Sequence, residues 1–510
     1  MQPDLTACHL PVLWRLSGHL DLQALRLALA ELIERHPTLR TSFCLQGSEV
    51  VQIIHPPAPF LLEAEALGER KADAVIEEWL EQERTRPFDL TCGELLRARV
   101  LAVDPQHHLL LLNQHHIATD GWSHSVLARD LTALYNAQRT GKRPELAPLP
   151  VRYHDYAAWQ RERLSGDRLQ TLKEYWIPQL TGLEPLELPA DHARPAIPSH
   201  RGGSVSFAIT AELLTPFEEL CRTEGATLQM GLMALVALLL HRYSRQDDVA
   251  IGVPIWGRNH PDLEPLIGFF VNTLPIRTRF SPQQSFRQLL QQVKATSLAA
   301  YEQQELPFEQ MVEALNLPRD TSRNPLVQVM LQLMEQPEAS LHGLEGITAE
   351  LLPGPTTASR LDLEVFLRRG AGGRLQGEVL YATDLFTAER IERFTTHLIT
   401  LVGSAVEAPD RQANSLCLLP DSERQLIESW QCGPTIDVPD LCVHQLFEQQ
   451  AARTPDAIAL VFEDQQLTYG DLNDRASQLS RQLMECGVAA GEVVGVCLER
   501  SVELIVALLA

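Results

Sequence analysis

A run of four leucines, Leu109–Leu112, constrains the fold of this chain more than any other sequence feature. Strand side chains alternate between the two faces of a sheet, so an unbroken apolar run predicts a strand that is covered on both faces. The polar group that follows, up to Ser123, lies where this strand ends and a helix begins. Ligands usually bind at the strand ends of sheets flanked by helices. The run therefore predicts an α/β sheet with a candidate site at its edge.

Strand-like and helix-like apolar spacing alternate along most of the chain. Pro11–Ser17 alternates as a strand, and Asp21 is placed to cap a helix whose apolar stripe begins at Leu22. The same ingredients return between Gly202 and Val406. This pattern predicts an α/β protein with two similar sandwich lobes.

Proline-rich and polar stretches indicate the boundaries between domains. Residues 183–198 contain four prolines, which favour an extended crossing between the lobes. A helix-breaking stretch follows the second lobe. The apolar run at the C-terminus lacks a cap, and Pro11–Ser17 already alternates as a strand close to the N-terminus. We therefore expect both chain ends to be truncated. The predicted domains are 1–176 for the first lobe, 177–412 for the second, 413–440 for a linker and 441–510 for the start of another domain.

Composition excludes several classes of partner. The chain has 66 acidic and 43 basic residues, a net charge of −23, which repels nucleic acid and anionic membranes. The longest apolar run, Met230–Leu240, is shorter than the ~20 residues that a membrane span needs. Nine cysteines without a CxxC pair and an N-terminus without a secretory signal favour a reducing compartment. We expect a cytoplasmic protein with neither nucleic acid nor membrane as partner.

The polar group after the leucine run combines two imidazoles, a carboxylate and a glycine within seven residues, His115 to Gly121. An adjacent histidine pair by itself is equally compatible with a hydrogen-bonded core histidine. Zinc needs three or four convergent ligands, but successive strand side chains diverge and only Asp120 is nearby, so no metal site is predicted.

The string His115–Gly121 resembles the HHxxxDG signature of condensation domains of non-ribosomal peptide synthetases, a superfamily that includes chloramphenicol acetyltransferase. Further similar strings follow in the family's order: Arg35–Phe43, Ile267–Arg277, Leu306–Glu309, Arg319–Val329 and Tyr381–Phe386. The resemblance covers about residues 10–412 and implies two chloramphenicol-acetyltransferase-like lobes that form a V-shaped cleft. The family's opening motif is missing, and Gln303 stands where many members carry histidine.

Leu467–Leu472 resembles the first core motif of adenylation domains. The resemblance implies that residues 441–510 are an incomplete α/β adenylation N-terminus. ATP and Mg²⁺ are then needed only by the complete adenylation domain, whose remainder is an expected partner.

The resemblance implies amide formation between an upstream acyl or peptidyl thioester and a downstream aminoacyl amine. Both are delivered on the 4′-phosphopantetheine of carrier domains, so those carriers are the expected partners and this chain binds no cofactor. An imidazole suits proton transfer near neutral pH, which makes His116 a candidate general base or a residue that positions the amine. His115, which points to the opposite side of the strand, is assigned to structure.

Two neighbours of the histidines have open roles. Asp120 either orients His116 or, as the resemblance favours, forms a buried salt bridge with Arg40 or Arg258. Gly121 either presents its backbone N–H to the developing oxyanion or makes a tight turn before the helix.

Other members of the superfamily remain as alternatives. An epimerization domain shares the signature, but it normally precedes another condensation domain and not an adenylation domain. A catalytically silent docking module tends to lose the second histidine, which is present here as His116. The residues of two motifs slightly favour a D-configured upstream residue as the donor: Tyr381–Phe386 and His115–Ser123.

Overall fold

The computed structural model describes residues 8–47, 49–68, 70–334, 341–352, 358–431, 433 and 440–510. The chain divides into two compact units, of which the first ends at Arg424 and the second begins at Gln425. The strands are β1 (His9–Gly18), β2 (Thr41–Gln46), β3 (Glu49–Ile54), β4 (Glu63–Ala66), β5 (Leu96–Asp104), β6 (His107–His115), β7 (Gly202–Ile209), β8 (Asp248–Ile255), β9 (Asn272–Arg279), β10 (Val329–Met334), β11 (Ile347–Leu352), β12 (Leu363–Arg369), β13 (Leu375–Ala382), β14 (Ile458–Phe462) and β15 (Gln465–Thr468). The α-helices are α1 (Leu22–Arg35), α2 (Ala72–Thr85), α3 (Gly121–Thr140), α4 (Tyr153–Arg163), α5 (Gly166–Leu180), α6 (Ala211–Thr223), α7 (Leu228–Ser244), α8 (Phe286–Glu302), α9 (Phe308–Leu315), α10 (Ala388–Glu407), α11 (Asp421–Gln431), α12 (Val443–Arg453), α13 (Tyr469–Glu485) and α14 (Val502–Leu509).

The first lobe is a five-stranded sheet in the order β11-β1-β6-β5-β4, with helices on both faces. Leu110 and Leu112 of the central strand β6 pack in one core with α1 and α3. Leu109 and Leu111 point the other way, into a core with Trp79 of α2. All four leucines are at most 3% exposed, which confirms the prediction of a strand covered on both faces. Asp21 caps α1 by accepting a hydrogen bond from Ala24 N, as predicted.

The second lobe is a six-stranded sheet in the order β7-β13-β12-β10-β8-β9. Strands β8, β10 and β12 run parallel, and the other pairs are antiparallel. Its core contains the whole apolar run of α7, Met230–Leu240. Among the described residues no single helix meets the length and hydropathy of a membrane span, although α6 and α7 meet them as a pair bent by 105°.

Strand β11 does not follow the linear order of the lobes. It lies inside the range predicted for the second lobe, yet it pairs with β1 of the first sheet from Leu13↔Leu352 to Gly18↔Ile347. This pairing covers an edge of β1 that would otherwise leave its backbone N–H and C=O groups unpaired. The two predicted α/β lobes are confirmed, but the second contributes a strand to the first.

The second compact unit contains α12, the hairpin β14–β15, α13 and α14. Its small core joins Leu467 and Leu472 to Val502 and Val506. Thr468 caps α13 through a reciprocal pair of contacts with Asp471. Part of the predicted linker, residues 432 and 434–439, lies outside the described residues.

Candidate active site

The candidate site begins where β6 ends at His115. A short turn connects this strand to α3, and it is closed by a hydrogen bond from Ala118 N to His115 O of 3.0 Å. Asp120 then caps α3 by accepting from Ser123 N at 2.9 Å. The sequence folds this way because an aspartate at the N-cap satisfies an amide that has no partner inside the helix.

The imidazole of His116 is fixed by one hydrogen bond. Its Nδ1 lies 2.7 Å from the backbone oxygen of Thr119. A carbonyl oxygen only accepts, so Nδ1 carries the hydrogen and Nε2 keeps its lone pair. Burial, reinforced by the positive charge of Arg360, lowers the pKa of His116 below its ordinary value. The ring is therefore neutral near pH 7, with Nε2 as a proton acceptor.

His115 faces a different environment. Its Nδ1 accepts a hydrogen bond from Ile117 N at 3.1 Å, and its ring packs edge-on against Phe88 with centroids 5.8 Å apart. Burial, with a smaller effect from His116, lowers the pKa of His115 to about 4. The ring is therefore neutral near pH 7 and packs against Phe88, and its structural role stays a prediction.

Asp120 forms a buried ion pair with Arg258. The two side chains are 0% and 2% exposed, and Arg258 donates to both carboxylate oxygens, at 2.8 and 3.1 Å. Of the two arginines considered from the sequence, Arg40 is wrong as the partner. Its guanidinium donates to the backbone oxygens of Ile33 and His55, which places it at the start of the β2–β3 hairpin.

The ion pair also holds residues 266–272, the crossing segment, against the first lobe. Asp120 accepts from Phe270 N at 3.0 Å, and Arg258 donates to Leu266 O at 3.2 Å. Gly268 N donates to Ser123 Oγ at 3.1 Å, and this hydroxyl oxygen lies 3.0 Å from Gly268 O. The carboxylate thus connects the helix start, the arginine and the second lobe.

The crossing segment brings an aromatic ring to the catalytic candidate. Phe269 meets His116 edge to face, with ring centroids 5.1 Å apart. The hydroxyl of Tyr153 donates to Phe269 O at 2.7 Å and fixes this part of the segment. A Cβ at Gly268 would lie 2.2 Å from the Tyr153 ring, so a side chain here would force that ring to shift.

Gly121 is the first residue of α3. A Cβ there would lie 3.0 Å from the ring of Trp256, so a larger residue would require this tryptophan to move. The structure therefore supplies a packing reason for glycine, and the oxyanion role of its N–H stays a prediction.

Sequence reasoning missed three residues around His116: Phe269, Tyr153 and Arg360. Tyr153 could have been found from the sequence, because aromatic residues recur at three-residue spacing and predict one helix face: Tyr153, Tyr156 and Trp159. Arg360 gives no local signal, because it reaches the site from the turn before β12, where Glu364 holds it at 2.8 Å.

The described residues of the site show no arrangement for a metal. In the described part of the chain, no group of three or more His, Cys, Asp or Glu side chains converges as metal ligands would.

Gln303, the residue that departs from the family pattern, follows α8, and its backbone oxygen accepts a hydrogen bond from the Trp176 indole at 2.9 Å.

Comparison with known protein families gives two matches. A family model described as "Condensation domain" matches residues 1–428, and one described as "AMP-binding enzyme" matches residues 447–510. A linear gramicidin synthase of Brevibacillus parabrevis is 39% identical over 517 residues, covering 100% of this chain and 10% of that protein. Chondramide synthase of Chondromyces crocatus is 41% identical over 512 residues, covering 99% and 13%. The chain thus spans about a tenth of the length of these relatives.

Solved structures agree with this match. The X-domain from teicoplanin biosynthesis, also solved in complex with OxyB, has a TM-score of 0.77 at 32% identity and covers 82% of this chain and 96% of its own. A four-domain non-ribosomal peptide synthetase bound to AMP and glycine has a TM-score of 0.81 at 23% identity, covering 96% and 38%. Because the four-domain synthetase is only 23% identical, its likeness to this chain shows the fold alone.

Proposed function

We propose that this chain, which belongs to the condensation-domain family and continues into the start of an AMP-binding domain, forms an amide bond between two carrier-bound substrates. The donor is an acyl or peptidyl thioester on the 4′-phosphopantetheine of an upstream carrier domain. The acceptor is the amine of an aminoacyl thioester on a downstream carrier. The remainder of the adenylation domain, which would hold ATP and Mg²⁺, is the third partner.

One observation carries this proposal: burial favours the neutral ring of His116, and in that ring Nδ1 donates to Thr119 O, so Nε2 keeps a lone pair. A thioester is already activated, so the chemistry that remains is alignment of the reactants and one proton transfer. The acceptor nitrogen attacks the thioester carbonyl, the C–S bond breaks, and Nε2 carries the amine proton to the leaving thiolate.

The other site residues support this step indirectly. Asp120 and Arg258 hold the turn that contains His116 against the crossing segment, so both are positioning residues. The backbone N–H of Gly121, in the first turn of α3, is the proposed donor to the oxyanion, aided by the positive end of the helix dipole.

The domain order favours condensation over epimerization. The AMP-binding match follows the condensation match directly, and an epimerization domain would be expected to precede another condensation domain. The likeness to an X-domain that has been solved with OxyB supports recruitment of a separate protein as a second candidate function.

The test is amide formation by the whole chain, supplied with loaded upstream and downstream carrier domains and with L and D donors. We expect His116→Ala to lower the rate by about 10²–10⁴-fold, the usual contribution of a general acid–base group. His107→Ala, at the exposed start of the same strand, is the matched control and is expected to retain activity.

Folding of both variants is checked by circular dichroism. Full activity in a folded His116→Ala variant would contradict the role of His116. Absence of product with every donor, together with tight binding of a tailoring enzyme, would favour recruitment over amide synthesis.

A further inference from the structure

A cavity of about 850 Å³ lies within the first compact unit, between α4 and the second lobe. Its walls include Tyr153, Tyr156 and Trp159 from α4 and Phe269 and Phe270 from the crossing segment. Phe269 is also the ring that packs against His116 at 5.1 Å. One aromatic side chain therefore separates the cavity from the proposed base.

The charged groups that line the cavity are mostly acidic: Asp155, Asp262, Glu305 and Glu309 lie there beside Arg163. Among the lining residues that the structure describes, Arg163 is the one lysine or arginine, and it binds Glu305 at 2.7 Å. Asp262 lies 3.3 Å from His260. The site thus has neither an arginine nor a lysine available for a carboxylate ligand, and its aromatic walls favour uncharged apolar groups.

The volume identifies which reactant fits. Ligand cavities of ~300–1,000 Å³ commonly enclose whole small molecules, so a cavity near the upper end of this range exceeds the needs of one side chain. This inference rests on the proposed function, in which the downstream substrate carries one aminoacyl residue and the upstream substrate carries an acyl or peptidyl chain.

We propose that this cavity binds the upstream donor chain, and that it favours an apolar or aromatic peptidyl group several residues long over a single aminoacyl group. Phe269 is the wall between the bound chain and His116, and Trp159, which is 53% exposed, borders the outer end. The donor length and its apolar character are therefore selected at this cavity.

The test measures binding without relying on turnover. Pantetheine amides, in which nitrogen replaces the reactive thioester sulfur, carry either phenylalanine or a tri-phenylalanine chain and are titrated into the whole chain by calorimetry. We expect the tripeptidyl analogue to bind at least about tenfold more tightly, since even one methylene in an apolar pocket changes affinity or specificity by ~10–200-fold.

Two variants and two controls place the effect at the cavity. Val271→Trp fills the cavity and Trp159→Ala opens its wall, and each is expected to remove most of the length preference. Leu45→Trp, on the exposed face of β2, and Trp430→Ala, at an exposed position of α11, are the matched controls and should keep it.

Equal affinity for both analogues, or a preference that survives both cavity variants, would overturn the proposal. A tri-aspartyl analogue that binds as tightly as the tri-phenylalanine one would also overturn it, because the cavity has no cation available for acidic chains. Amide formation with loaded carriers is measured separately. A chain that makes product without a length preference therefore refutes only the cavity assignment.

Discussion

Removal of the Asp120 carboxylate is the sharpest test of how the site is held. This side chain is fully buried and accepts five hydrogen bonds, two from Ser123, two from Arg258 and one from Phe270 N. Asp120→Ala leaves the 2% exposed guanidinium of Arg258 without a compensating charge. Breaking a buried pair in this way costs about 3–5 kcal/mol, and we expect that loss in the free energy of unfolding.

The double variant separates the pair from its surroundings. Arg258→Met is expected to cost a similar amount by itself, because it leaves the carboxylate buried and unpaired. Asp120→Ala combined with Arg258→Met should cost clearly less than the sum, since neither charge is then stranded. Urea unfolding of the whole chain, followed by circular dichroism, measures the three values.

An exposed ion pair supplies the control. Glu219 and Arg222 lie 2.6 Å apart on α6 with side chains 56% and 74% exposed. Glu219→Ala is expected to change stability by less than about 1 kcal/mol, as for most surface pairs. Costs for Asp120→Ala and Arg258→Met that are as small as this control, or that add within about 0.5 kcal/mol, would refute the reasoning.

Neighbouring contacts lead to three further expected outcomes. Burial lowers the pKa of His116, so its imidazole should stay neutral below pH 6.5 and become protonated only as the pH drops through that lowered pKa; a midpoint at or above about 6.5 in a nuclear magnetic resonance titration of this ring would contradict this. Gly268→Ala places a Cβ 2.2 Å from the Tyr153 ring and should cost about 1–3 kcal/mol, measured by urea unfolding, with a neutral result arguing against the packing of the crossing segment. His397 lies 2.6 Å from Glu423, so Glu423→Ala should cost about 1–3 kcal/mol and speed hydrogen exchange in α11; unchanged exchange would show that this contact does not hold the helix.

Much of the fold could be predicted from local pattern. The leucine run predicted a strand covered on both faces, and Leu109–Leu112 are buried in two cores on opposite sides of the sheet. Asp21 was expected to cap α1, and it does. These predictions succeed because periodicity and capping depend on residues that are close in sequence.

The candidate site was predicted only in part. The turn from His115 to Gly121 was identified at a strand end, where the structure places it. The tautomer of His116 depends on Thr119 O, and the position of Phe269 depends on Tyr153, so neither could be obtained from the residue types. The roles of His116 and Gly121 in the reaction stay predictions.

The sequence by itself determined the α/β class, the two lobes, the candidate histidine and the resemblance to one family, because each follows from local spacing or from a short ordered string. Only the tertiary structure decided that β11 joins the first sheet, that Arg258 and not Arg40 pairs with Asp120, and that α4 encloses a cavity next to Phe269. These features join residues more than a hundred positions apart. Such contacts are selected by the burial and pairing energy of the whole fold, which no local pattern records.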